Sequence, residues 1–196
     1  MRNFPLLVLA LLASACGAPG QETAVAKACP NGTTAALGGP ISLIDETGAR
    51  VTQDTFKGRK SLVFFGYTYC PDICPLTMFK LGQALGQLPP DAPVPKTVFI
   101  SVDPDRDTPE ALTQYIHSNG FPKDVTGLTG TEEELLEAAR AYGPTFSKED
   151  PGDGSDGYLV SHNSLVFLMD EDWKLATYFR PDETPEAIAT CVAALR

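Results

Sequence analysis

Residues 61–75 read Ser-Leu-Val-Phe-Phe-Gly-Tyr-Thr-Tyr-Cys-Pro-Asp-Ile-Cys-Pro, and the fold class turns on them. Ser61 to Tyr67 is a nearly continuous apolar run, the pattern of a strand buried on both faces. It ends directly at Cys70. Pro75 suits the first position of a helix, where its missing N–H is no loss, and Leu76, Phe79, Leu81, Leu85 and Leu88 then recur at near-helical spacing. A buried strand therefore hands over to a helix N-terminus, with Cys70 in the connection and Cys74 at the helix entrance.

Upstream, Ile41, Leu43 and Val51 flank Asp45-Glu-Thr-Gly48, which has the turn chemistry of a hairpin. Downstream, Thr97 to Val102 reads as a second buried strand, and Asp107-Thr108-Pro109-Glu110 opens a helix reaching about Asn119, closed by Gly120. Thr131 and Glu134 form a capping box for a third helix, with Leu135, Leu136 and Ala139 as its apolar side and Gly143-Pro144 as its stop. Ser164 to Met169 and Lys174 to Phe179 form an antiparallel pair, and Thr184-Pro185-Glu186 starts a terminal helix carrying Cys191. Strands alternating with helices, then a hairpin and a last helix, predict an α/β domain: a thioredoxin-like fold with a mixed central sheet, an N-terminal hairpin and an additional β-hairpin.

The chain has 196 residues, 43% of them hydrophobic, which suits one core of ordinary size. Fifteen Lys and Arg against 25 Asp and Glu leave a formal charge of -10, and a surface so poor in clustered cations excludes nucleic acid as a partner. Residues 1–15 carry one cation, Arg2, then an apolar run from Phe4 to Leu12 and the small residues Ala13, Ser14 and Ala15. This is the form of a secretory signal, and the run is about half of the roughly 20 residues a membrane-spanning helix needs. Ala13-Ser-Ala-Cys16 resembles a bacterial lipobox, which makes Cys16 a lipid-attachment candidate, although ordinary cleavage at the same bond suits Ala13-x-Ala15 equally. The expected organisation is a signal peptide over 1–15, a tether over 16–39 and one folded domain over 40–196.

Export implies an oxidising compartment. With Cys16 set aside, Cys29, Cys70, Cys74 and Cys191 allow three pairings. A bridge between Cys29 and Cys191 would fasten the two ends of the domain, whereas Cys70 and Cys74 are local to each other. At the start of a helix the peptide N–H groups favour thiolate over thiol, and Asp72 between the two cysteines opposes that shift. Three intervening residues depart from the two of the thioredoxin-type redox motif. A looser loop lets both sulfurs turn to one point, and two thiolates with one imidazole suit copper. Two histidines are available: His117, whose position near a helix end suits an interaction with the last carbonyls, and His162, just before a strand. Spacing alone does not say whether His162 meets Cys70. Asp103, Asp105 and Asp107 alternate, but they lack the Gly and Glu of a calcium loop; Asp107 and Thr108 read as helix caps, and Arg106 as half of a charge pair holding the loop.

Three stretches in register, Gly66 to Pro75, Ser101-Val-Asp-Pro-Asp-Arg-Asp-Thr-Pro109 and Tyr158-Leu-Val-Ser-His162, closely resemble the signatures of the Sco/SenC family. The resemblance runs from about Ile41 to the end of the chain. It implies a thioredoxin-like protein anchored at a membrane and facing the periplasm or the mitochondrial intermembrane space. Such a protein binds one copper ion as Cu(I) or Cu(II) and helps build the binuclear copper centre of cytochrome c oxidase. Carried over by position, the ligands are Cys70, Cys74 and His162; Asp72, between the cysteines, and Asp103 and Arg106, in the neighbouring loop, are candidates for supporting residues around them. The implied partners are the copper-bearing subunit of the oxidase and other periplasmic copper chaperones, with a lipid anchor holding the chain at the membrane. The chain departs from the family in having Ser161 where many members have Asp. The alternative function is a thiol-disulfide reductase of the oxidase's copper-ligand cysteines, in which Cys70 attacks and Cys74 resolves.

Overall fold

The computed structural model describes residues 28–29, 37–143, 146–150, 152 and 157–195. The expected signal peptide, Cys16 and most of the expected tether lie outside the described residues. A seven-stranded mixed sheet forms the centre, in the order β2-β1-β5-β4-β3-β8-β9. Its strands are β1 (Ser42–Asp45), β2 (Arg50–Thr52), β3 (Ser61–Gly66), β4 (Lys96–Ser101), β5 (Val125–Thr129), β8 (Val166–Met169) and β9 (Leu175–Phe179). Among the described residues four α-helices accompany it: α1 (Ile73–Gly86), α2 (Pro109–Ile116), α3 (Glu132–Tyr142) and α4 (Pro185–Ala194). A separate two-stranded sheet pairs β6 (Ser147–Glu149) with β7 (Leu159–Ser161).

β3 runs parallel to β4 and antiparallel to β8, and all six of its residues are buried, as its unbroken apolar run requires. Around it Phe64, Phe65, Phe99, Tyr142 and Phe167 make edge-on and tilted ring contacts at centroid separations of 5.3–6.4 Å. Rings of this size dominate the burial that holds such a core. Both capping predictions for α3 hold: Thr131 accepts from the Glu134 N–H, the Glu134 carboxylate accepts from the Thr131 N–H, and Gly143 leaves the helix at φ 79°.

Four local expectations need correction. α1 begins at Ile73, so Cys74 lies within its first turn and Pro75 follows it; a first-turn proline costs little, because those N–H groups have no intrahelical acceptor. The buried face of α1 is Cys74, Thr77, Met78, Leu81 and Ala84, whereas Leu76 and Phe79 are 52% and 44% exposed. The rest of the predicted stripe faces the core: Leu81 is fully buried and Leu85 and Leu88 pack against it, so the reading fails only at Leu76 and Phe79. α2 ends at Ile116, with His117 as its exposed C-cap, three residues short of Asn119. β5 has no counterpart among the predicted elements; Gly127 interrupts its pattern because a Cβ there would stand 3.1 Å from Leu112 and 3.3 Å from Ile116, where α2 lies on the strand.

Cys29 is bonded to Cys191 in α4, with Cα atoms 4.9 Å apart. Nearby in sequence, the Gly39 carbonyl accepts hydrogen bonds from the Tyr142 hydroxyl and the Trp173 indole N–H, and the Gly38 N–H donates to Ala141. The last residues of the expected tether are thus tied into the domain. Among the described residues no helix is long and apolar enough to cross a membrane.

Candidate metal centre

Strand register brings the chemistry together. Gly66, the last residue of β3, pairs with Ser101, the last of β4, so the connections that leave these parallel strands emerge side by side. Such carboxyl edges are where open α/β sheets build their sites. β8 runs the other way, and Val166 pairs with Phe64, so the segment entering β8 arrives at the same edge, bringing His162 with it.

Cys70 and Cys74 are both unbridged and buried, at 8% and 0% exposure. The Cys74 N–H, one of the free donors in the first turn of α1, points to Cys70 Sγ at 3.4 Å. Cys74 Sγ in turn lies 3.4 Å from His162 Nε2. His162 Nδ1 is 2.8 Å from the Asn163 carbonyl oxygen, which only accepts, so Nδ1 carries the proton. In the neutral ring that leaves Nε2 its lone pair, turned towards the sulfur. Phe64 and Tyr67 hold the ring edge-on, at centroid separations of 6.2 and 5.9 Å. Gly66 makes room for the arrangement: a Cβ there would lie 3.1 Å from Cys74 Sγ and 2.9 Å from the Phe99 ring.

The two thiols are unequal. A hydrogen bond from the Cys74 thiol, reinforced by the N–H groups of Asp72 and Cys74, outweighs burial and draws Cys70 down to about 3; His162 adds to this when its Nε2 bears a proton. The same sulfur–sulfur hydrogen bond, and then burial, push Cys74 far above the ordinary thiol range. The two shifts favour a thiolate at Cys70 and a thiol at Cys74. Burial also raises the Tyr67 hydroxyl above its usual value, and the two neighbouring sulfurs add to that.

Of the supporting residues, Asp72 is an exposed N-cap whose carboxylate makes no capping hydrogen bond, and it meets the site through its backbone. Asp103 is fully buried and paired with Arg106, and the Tyr158 hydroxyl donates to it at 2.7 Å. Asp107 is not the cap it reads as, since Thr108 alone accepts from the Ala111 N–H. It instead receives the Thr68 N–H and hydroxyl and the Ser101 hydroxyl, at 3.1, 2.6 and 2.7 Å, two residues before Cys70. Burial raises its pKa, and these donors pull the other way. His117 lies in a different place, beside Gly82 and Phe121 on the groove between α1 and the end of α2. Thr68, Tyr67, Phe64 and Tyr158 were not readable as site residues, since nothing in their local pattern separates them from core or turn.

Among the described residues no three His, Cys, Asp or Glu side chains are gathered as a finished metal cage. The donors nevertheless fit a soft cation. A metal bonded to sulfur at about 2.3 Å and to nitrogen at about 2.0–2.1 Å holds those atoms roughly 3.5 Å apart at a tetrahedral angle, close to the 3.4 Å between Cys74 Sγ and His162 Nε2. One thiolate is already formed, and a metal replacing the shared thiol proton would complete the second.

Comparison with known proteins places these features. Residues 30–195 match the family model described as SCO1/SenC. Protein SenC of Rhodobacter capsulatus is 39% identical over 175 residues, which cover 88% of this chain and 77% of that protein. The human mitochondrial SCO1 homolog is 37% identical over 159 residues, 80% of this chain but only 52% of the human protein, so the chain spans about half the length of that relative. The crystal structure of Arabidopsis thaliana ScoI with copper bound superposes with a TM-score of 0.74 at 34% identity, covering 81% of this chain and 96% of that one. With the thioredoxin-like architecture and the Cys-x-x-x-Cys at its carboxyl edge, these matches show that the chain belongs to the SCO1/SenC family.

Proposed function

We propose that this chain is a copper-binding assembly factor that helps metallate the binuclear copper centre of cytochrome c oxidase, holding one copper ion through Cys70, Cys74 and His162. The observation that carries the reading is the 3.4 Å approach of His162 Nε2 to Cys74 Sγ across 88 residues of sequence. Thiol exchange has no need of an imidazole there, whereas a soft metal does. Copper supplies the cargo. The protein supplies a preformed thiolate at Cys70, an oriented imidazole and a buried setting for both sulfurs. Its partners are the copper-bearing subunit of the oxidase and periplasmic copper chaperones, and the expected signal over 1–15 and lipidated Cys16 would keep it on the periplasmic face of a bacterial membrane. A folded domain over about 40–196 then hangs from a tether whose last part is stapled by Cys29.

The depressed pKa of Cys70 supports a second reading, a thiol-disulfide reductase. There the Cys70 thiolate attacks one sulfur of a partner disulfide and expels the other as thiolate; Cys74 then loses its proton, attacks Cys70, and releases the second partner thiol, so two electrons pass from this chain to the partner. Once Cys70 is in the mixed disulfide its thiolate no longer holds the Cys74 proton, and burial alone opposes the deprotonation that this second attack needs.

Adding Cu(I), and separately Cu(II), to the reduced protein distinguishes the two. One-to-one binding that weakens greatly in His162→Ala and is lost in Cys70→Ser is the expected result. Binding indifferent to His162, or tight binding retained in Cys70→Ser, overturns the three-ligand assignment and leaves the reductase.

A further inference from the structure

The two ligand-bearing segments come from different parts of the fold. Cys70 and Cys74 lie at the buried β3–α1 junction of the main sheet, whereas His162 follows β7, one strand of a two-stranded sheet outside the main one. That small sheet is weakly self-supporting. Its strands have three residues each, and Val160 alone among those six is buried. So small a hairpin does not bury enough apolar area to set its own position.

One loop bridges the two segments. Asp107 grips Thr68, two residues before Cys70. Its neighbour Arg106 faces the other segment: it lies over the Tyr158 ring, 3.7 Å from the centroid, and donates from Nη1 to the Tyr158 carbonyl at 3.1 Å. Its Nε donates to the buried Asp103 carboxylate, which also accepts the Tyr158 hydroxyl. Asp105 takes a further bond from Lys148 on β6. A single tyrosine, four residues before His162, is thereby held at its ring, its hydroxyl and its backbone.

We propose that Arg106 is a positioning residue. With Asp103 it clamps Tyr158, and through β7 it sets where His162 stands relative to the two sulfurs, so that the imidazole is preorganised for the metal. The inference rests on His162 being a copper ligand. A fork with separate nitrogens for a carboxylate and a carbonyl, and a flat face for a ring, is a task that lysine cannot perform. Partners that orient a metal-bound histidine typically change metal affinity by about 10–100-fold when removed.

The test is a double-mutant cycle in the full chain, with Cys70 and Cys74 reduced and Cu(I) partitioned against a competing chelator. Arg106→Ala is expected to weaken Cu(I) binding by about 10–100-fold, and Arg106→Lys to fail to restore it. In the His162→Ala background, Arg106→Ala is expected to add nothing, because its effect runs through that ring. Bound Cu(II) should show a weakened imidazole nitrogen coupling by electron paramagnetic resonance. Losses that add in the double variant, or an Arg106→Ala protein that keeps both affinity and nitrogen coupling, overturn the proposal. Should Arg106→Ala not fold, Tyr158→Phe carries the same cycle, since it removes only the hydroxyl bond to Asp103. If His162→Ala itself leaves Cu(I) affinity unchanged, the ligand assignment fails first, and the positioning role fails with it.

Discussion

Cys70 and Cys74 are the same residue type four positions apart, yet their sulfurs do opposite things. The difference is where each sits relative to donors. Cys70 Sγ receives the Cys74 N–H and the Cys74 thiol hydrogen bond, whereas Cys74, fully buried, donates that bond and keeps its proton. Because the folded pKa of Cys70 lies far below the ordinary thiol value of about 8.5, the thiolate persists as pH falls and is lost only on approach to about 3. The ultraviolet absorbance of the metal-free, reduced protein is therefore expected to report one thiolate at pH 5, with a second absent until strongly alkaline pH. Cys70→Ser should abolish the acid-stable thiolate. A wild-type titration with its first step near pH 8–9 would show that the hydrogen bonds do not act as described. Asp107 is held by comparable means, and Asp107→Ala would strand the Thr68 N–H and the buried Ser101 hydroxyl, each at about 1–3 kcal/mol.

Helix α1 shows how an element's position follows from packing. Met78 is fully buried on its inner face, and Leu76, two residues after Cys74 and on the outer side, is half exposed. Met78→Ala is expected to cost about 2–5 kcal/mol in denaturant unfolding. Leu76→Gln is expected to stay within about 0.5 kcal/mol, as surface changes do. The reverse order would mean that the helix is rotated from the orientation described, which would also carry Cys74 away from His162. Gly82 constrains the same helix from another side: a Cβ there would meet the Gly120 carbonyl at 2.0 Å, so α1 lies directly on the turn after α2. The β6–β7 hairpin is the opposite case, an element placed by polar contacts at Tyr158 more than by burial.

At the scale of the whole molecule, the Cys29–Cys191 bridge joins positions 162 residues apart. The chain-entropy account gives about 5 kcal/mol for closing so long a loop, and measured losses for native bridges are about 2–5 kcal/mol. Replacing both cysteines by Ser should lower unfolding stability by that amount, while the thiol titration of Cys70 stays unchanged, because the bridge ties α4 and the N-terminal segment and not the carboxyl edge of the sheet. A simultaneous shift of the Cys70 titration would show that the two regions are coupled. The acidic charge of -10 acts at this scale too, favouring partners with basic surfaces and lowering encounters with acidic ones.

What the sequence by itself determined is local. The unbroken apolar run of β3, the Thr–Glu capping box of α3, the Thr-Pro-Glu helix starts and the turn at Asp45–Gly48 each rest on interactions within a few residues, so each was legible, and with them the α/β class. The Cys-x-x-x-Cys at a strand–helix junction was legible for the same reason. Only the tertiary structure decided the rest. β5 was hidden because Gly127 answers to α2 packing above it, and the buried face of α1 was legible at Leu81, Leu85 and Leu88 but not at its start, where Leu76 and Phe79 face outwards. Asp107 read as a helix cap until Thr68 came within reach, and Arg106 read as a loop ion pair until Tyr158 lay against it. His162 is the clearest case. No local pattern distinguishes a ligand histidine from a solvated one, and its 3.4 Å approach to Cys74 exists only because β8 pairs antiparallel with β3 and returns the chain to the edge where the cysteines stand.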